Sequence, residues 1–165
     1  NKPLKKKNLY GPTERCPWRK RVLQGEVHDD NTWAMGGVAP HAGLFGTVTA
    51  VSKLGLKFRQ LHKGKDLFLH SKTFQKFARR SLPSHRGDWG LGFMLPTQGG
   101  SSCGQYFSNT SYGHIGFTGT TLWIDPKRDV LVTLLSNRVH PKRNNPHFGK
   151  WRPQIHDWVI ENLSN

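Results

Sequence analysis

Acid is what this chain has least of. Asp and Glu number 10 against 25 Lys and Arg, a formal net charge of +15 over 165 residues. A deficit of that size leaves a strong positive field and favours anionic partners: nucleic acid, anionic lipid or acidic cell-wall polymer. Cysteine is scarcer still. Cys16 and Cys103 show no metal-ligand spacing and no Cys-x-x-Cys, which argues against a thiol-built metal site and a dithiol redox pair; one disulfide and two free thiols both stay open. No run is both long and apolar enough to cross a membrane as a helix. The nine histidines include no His-Glu-x-x-His and none with cysteine support, so neither a metal nor another cofactor is expected. The first residue is Asn1, and the natural start, with any leader peptide, is expected to lie upstream.

What is present suffices for one domain with a core, since hydrophobic residues make up 35% of the chain. The cations crowd the N-terminus. Lys2, Lys5, Lys6, Lys7, Arg15, Arg19, Lys20 and Arg21 stand against one acid, Glu14. Residues 1–21 are therefore expected to be a poorly ordered basic lead-in, a solvated arm or an anchor to a polyanion, with the folded unit over 22–165.

Gly25–Gly37 has no sustained period and reads as a loop. Thr47 suits a helix N-cap, and Val48, Val51, Leu54, Phe58 and Leu61 follow at helical spacing to a stop near Gly64. A short helix is expected over about Ser71–Arg80, with Phe74 and Phe77 inward and Pro83 closing it. Trp89–Leu95 reads as a strand and His114–Ile124 as another. Val130–Ser136 is a third, apolar on both faces and so wanting cover on both. Pro153 suits the first turn of a closing helix with Ile155, Trp158, Val159 and Leu163 as its inner stripe.

Two stretches then carry a resemblance. Gly36–Thr47, "GGVAPHAGLFGT", and Gly113–Asn137, "GHIGFTGTTLWIDPKRDVLVTLLSN", resemble the serine β-lactamase-like family of class C β-lactamases, DD-peptidases and esterases; Gly25–Gly37 fits the loop that precedes the first. The likeness covers roughly residues 20–165 and corresponds to the C-terminal part of that domain. It implies an α+β, β-lactamase/transpeptidase-like fold, an antiparallel sheet packed with helices. It also implies acyl transfer through a serine ester, and a periplasmic or secreted setting. His114 takes the Lys/His position of the family's third motif, Ile115 the Thr position and Gly116 the Gly position, where a bare backbone lets substrate lie close. Phe117 would offer its N–H to the oxyanion.

The departures are informative. The chain holds no Ser-x-x-Lys, Tyr-x-Asn or Ser-x-Asn, so the nucleophile is expected upstream, and these residues alone are expected to be inactive. Ile115 lacks the hydroxyl that would hold a substrate carboxylate, and Pro40 stands where glycine is common. Ser102 lies in a Gly-Ser-Ser-Cys-Gly that matches G-x-S-x-G, but without the strand and helix a nucleophile elbow needs, so it reads as a loop at the cleft rim. His41 either caps a turn or lines the cleft wall. His28 with Asp29 and Asp30 is the one dense cluster, which turn-forming acids explain. Trp89, Trp123, Trp151 and Trp158 read as core, and Trp18 as an exposed basic–aromatic patch.

The expected partners are a small-molecule or peptide-like acyl substrate, the missing N-terminal part of the same domain, and an anionic surface met by residues 1–21. The rival function is a non-catalytic, hydrolase-like module that binds a polyanion through its basic face.

Overall fold

The computed structural model describes residues 7–83 and 87–163. Among them, strands β1 (Arg15–Cys16) and β2 (Arg21–Val22) form a small antiparallel pair. Strands β3 (Tyr112–Ile115), β4 (Thr121–Asp125) and β5 (Val130–Leu134) form an antiparallel sheet in that order. The helices are α1 (Asp30–Ala34), α2 (Val48–His62), α3 (Ser71–Ala78) and α4 (Phe148–Asn162).

The register of the sheet, His114 opposite Leu122 and Trp123 opposite Val132, sorts its side chains onto two faces by strand alternation. Tyr112, Ile124 and Leu131 meet Phe58 and Leu61 of α2 and Phe74 and Ala78 of α3. Trp123 and Val132 meet Ile160 of α4 together with Cys103 and Phe107. Both faces are covered, as the apolar composition of β5 requires.

Helix α2 begins where its cap predicts, with the Ala50 N–H donating to Thr47 Oγ1 at 3.2 Å. It lies close on the sheet because Gly55 faces it; a Cβ there would run into the side chains of Leu131 and Leu122. Its last turn carries Arg59 and Lys63 to Asp129 in the β4–β5 turn. Those two cations hold the Asp129 carboxyl well below the usual carboxylate range.

Several expectations are corrected. The lead-in is not loose over its described part, residues 7–21. Arg19 is buried, donates to the Val27 and His28 carbonyls at 2.8 and 3.1 Å, and pairs with Asp30. Arg21 pairs with Glu26. Lys2, Lys5 and Lys6 lie outside the described residues. The loop Gly25–Gly37 contains α1, capped by Asp29, which accepts the Thr32 N–H at 2.7 Å. Trp89–Leu95 is a reversal, not a strand: the Gly90 N–H donates to the Phe93 carbonyl, Gly92 sits at φ +103°, and Met94 alone bridges to Gly113. His114–Ile124 is likewise two strands, because Gly119 at φ +113° closes a turn in which the Gly116 N–H reaches the Thr120 carbonyl at 2.7 Å.

Helix α4 starts five residues before Pro153 and is rotated from the expected setting. Phe148, Arg152, His156 and Ile160 are buried, whereas Ile155, Trp158 and Leu163 are exposed. Polar contact decides this: His156 Nε2 lies 3.0 Å from Thr121 Oγ1, and burial, then the charge of Arg152, pushes the imidazole down to about 4, so it is neutral at pH 7. Of the four tryptophans read as core, Trp123 alone is fully buried; Trp89, Trp151 and Trp158 are exposed, as is Phe77 of α3. Both cysteines are buried free thiols, and burial pushes Cys103 up to about 11.

One consequence concerns Gly113, the third residue of the site strand from its exposed end. A Cβ there would collide with the Leu122 carbonyl and lie 2.7 Å from the Trp123 ring. Neither can give way, since one is backbone and the other is buried. Gly113→Ala is expected to cost about 3 kcal/mol of stability by overpacking, read as a lowered urea midpoint.

Candidate functional site

Strand β3 is the edge of its sheet among the described residues, and its outer side is the candidate site. In an antiparallel ladder alternate residues turn their N–H and C=O groups to opposite sides. Tyr112 and His114 turn theirs toward β4. Gly113 turns outward and exchanges two hydrogen bonds with Met94, at 2.8 and 3.0 Å. Beyond Met94 no described residue pairs with this edge. The next outward groups belong to Ile115 and Phe117, and no described residue accepts the Phe117 N–H.

His114 stands exposed beside this edge. Its Nδ1 lies 2.7 Å from the Ile115 carbonyl, and its ring is 5.6 Å from that of Trp89. A carbonyl can only accept, so Nδ1 carries a proton. Ile115 is half-buried on the face that carries Thr121. Gly116 has a local reason to lack a side chain: a Cβ would strike the Thr120 hydroxyl.

The Phe117 turn is tied down from behind. Arg138 Nε donates to the Phe117 carbonyl at 2.7 Å, and its guanidinium lies 4.4 Å from the Phe117 ring. The His28 ring stacks on Phe117 at 5.6 Å, with the planes 22° apart. His28 Nε2 lies 2.7 Å from Glu14 Oε2, and Glu14 also accepts from Arg143 Nε at 2.9 Å. Burial pushes the Glu14 carboxyl up, but Arg143 and then His28 outweigh it and leave the group below its ordinary value. Neither Arg138 nor Arg152, which is 8% exposed, has a carboxylate partner among the described residues. Their charge gives this end of β3 a positive field.

The structure thus brings His114, Ile115, Gly116 and Phe117 together on one open edge. His41 and Ser102 make no hydrogen bond to these four among the described residues. His41 Nε2 lies 3.1 Å from both Asp29 Oδ1 and Thr32 Oγ1, which makes it a brace of the α1 cap. Ser102 precedes Cys103, which is buried on the α4 face of the sheet, whereas His114 belongs to the other face. The loop after it is fastened to α4 by Asp157, which accepts the Gln105 and Tyr106 N–H groups. His28, Glu14, Arg138 and Arg143 are the residues that sequence reasoning passes over. Glu14 is the single acid in a basic stretch, yet its partners, His28 and Arg143, come from outside that stretch, so the stretch itself does not name them.

Comparison with known proteins agrees with this architecture. The β-lactamase family model matches residues 4–151. A Salmonella agona protein named as a D-alanyl-D-alanine carboxypeptidase is 35% identical over 158 residues, and one from Salmonella gallinarum is 36% identical; each match covers 88% of this chain. Among solved structures, a β-lactamase from Mycobacterium bovis superposes with a TM-score of 0.60 at 20% identity, covering 78% of this chain and 47% of its own. Simvastatin synthase from Aspergillus terreus gives 0.52 at 15% identity, covering 91% of this chain and 43% of its own. The fold and the family match define part of a β-lactamase-like domain. The chain belongs to the β-lactamase family, and it spans 36% of the length of the Salmonella relatives it matches.

Proposed function

We propose that this chain is the substrate-lining C-terminal part of a serine hydrolase that transfers an acyl group through a serine ester. The nucleophile comes from polypeptide outside these 165 residues, which hold no Ser-x-x-Lys. One observation carries the reading: the N–H of Phe117 projects from an open strand edge with no acceptor among the described residues.

The chemistry follows from that edge. A peptide-like substrate lies along β3 as an added strand and meets the outward groups of Ile115. Its carbonyl carbon is attacked, the C=O bond gives way to an oxyanion, and the Phe117 N–H donates to that oxygen. The positive field of Arg138 and Arg152 favours the same charge. The exposed His114 imidazole stands beside the edge, where its Nε2 can exchange a proton with the reacting groups. Ile115 offers no hydroxyl to a substrate carboxylate, so the scissile acyl group is an ester or amide held mainly through its backbone. The missing N-terminal part of the domain completes the cleft.

The test uses the full-length protein. A serine-reactive acylating probe is expected to add one acyl group to a serine outside residues 1–165, and hydrolysis of an ester and of a D-alanyl-D-alanine peptide is assayed beside it. Labelling at Ser102, or no labelling together with salt-sensitive binding to heparin, would replace this reading with the elbow or with the polyanion-binding module.

A further inference from the structure

Phe117 poses a mechanical problem. An oxyanion donor must hold its direction within about 10–20°, yet Phe117 lies past the end of β3, on a turn, and is 56% exposed. No described residue accepts its N–H. The turn supplies one restraint, the Gly119 N–H donating to the Gly116 carbonyl of the same peptide at 3.0 Å, and leaves the Phe117 side to be held by other groups.

We infer that His28, held by Glu14, is a positioning residue for the Phe117 backbone N–H. The contacts form a continuous chain. The buried Glu14 carboxylate can only accept, so His28 Nε2 donates to it, and this bond fixes the plane of the imidazole that stacks on Phe117. Glu14 is itself held by Arg143. The backbone of His28 is held by the buried Arg19, which donates to the Val27 and His28 carbonyls. The Arg15 N–H donates to the Pro141 carbonyl at 2.9 Å and joins this hairpin to the segment that follows β5. The basic stretch that reads as a loose arm is the abutment of the site. Arg138 fixes the Phe117 carbonyl, and His28 fixes its ring. Together with the Gly119 N–H on the Gly116 carbonyl, these two contacts oppose rotation of the 116–117 peptide about Phe117.

This inference rests on the acyl-transfer reading, and two measurements on the full-length protein separate their fates. In steady-state hydrolysis, His28→Ala is expected to lower kcat about 10- to 100-fold and leave KM within about twofold, because the donor acts on the transition state and not on the bound substrate. His28→Phe keeps the ring and is expected to regain most of kcat. His28→Gln keeps a donor for Glu14 without the ring and stays low. A merely structural role would make the three variants follow their melting temperatures, with no such split. Independently of turnover, the 15N order parameter of the Phe117 amide is expected to fall in His28→Ala and hold in His28→Phe. An unchanged order parameter in His28→Ala, or a His28→Phe as impaired as His28→Ala, overturns the inference. A wild-type protein without hydrolase activity defeats the acyl-transfer reading, and the order parameter then decides the positioning claim by itself.

Discussion

Replacing Phe117 by proline is expected to lower kcat of the full-length enzyme by about 10²–10³-fold, the cost of losing one oxyanion donor. Proline has no N–H, and no described residue uses the Phe117 N–H, so the change removes a group the fold does not need. Phe117→Ala is the control. It keeps the N–H but loses the ring that His28 and Arg138 pack against, and its loss should match that of His28→Ala and stay well short of proline. Steady-state kinetics with an activated ester reads all of this, and the melting temperature of each variant checks the fold. A proline variant that keeps kcat within about threefold would move the oxyanion site away from β3, since one donor is ordinarily worth far more.

The second large effect is on stability, at Asp125. This carboxylate is wholly buried at the end of β4. It accepts from the Ser108 N–H at 2.9 Å and hydroxyl at 2.7 Å, the Lys127 and Arg128 N–H groups at 2.9 and 3.2 Å, and the Arg128 guanidinium at 3.1 Å. It pins the β4–β5 turn and, through Ser108, the approach of the chain to β3. Burial pushes its pKa up, but the Ser108 and Arg128 donors together outweigh burial and leave it below its ordinary 3.8. A depressed folded value fixes the direction of the pH effect. The stabilisation is fully present above the unfolded carboxyl's range and is lost as the pH falls through it toward the folded value. Asp125→Ala is expected to cost about 3–5 kcal/mol at neutral pH, as a broken buried charge network does. The gap between wild type and variant should narrow below about pH 4, where the unfolded carboxyl takes up its proton. Urea titrations at several pH values measure both. A cost under about 1 kcal/mol, typical of an exposed pair, would mean that Asp125 is not the latch described.

Parts of the site were legible in the sequence because they are written in short-range terms. The glycine of His114-Ile115-Gly116, the cap at Thr47 and the two-sided apolar run of β5 each depend on neighbours within a few residues. Other parts were not. The strand read over His114–Ile124 folds into a hairpin because Gly119 takes a left-handed φ, which composition permits but does not announce. The stripe of α4 misled because Ile155, Trp158 and Leu163 look like a core face, whereas of that stripe only Val159 packs against the core and the buried face holds Arg152 and His156. Apolar spacing locates a face only when the apolar side is the one that packs. His28 was dismissed as a turn residue because its partners, Glu14 and Phe117, lie 14 residues before it and across the fold.

By itself, then, the sequence determined the family likeness, the helical span of α2, the need of β5 for cover on both faces, and the tripeptide that lines the open edge. The tertiary structure alone decided that residues 7–21 pack into the fold through Glu14 and Arg19, that His41 meets the α1 cap, and which side of α4 is inward. The reason is the range of the forces. Local backbone preference and alternation act over a few residues, whereas a buried charge can be placed only once its partner is known, and for Glu14 that partner, Arg143, lies 129 residues further along the chain.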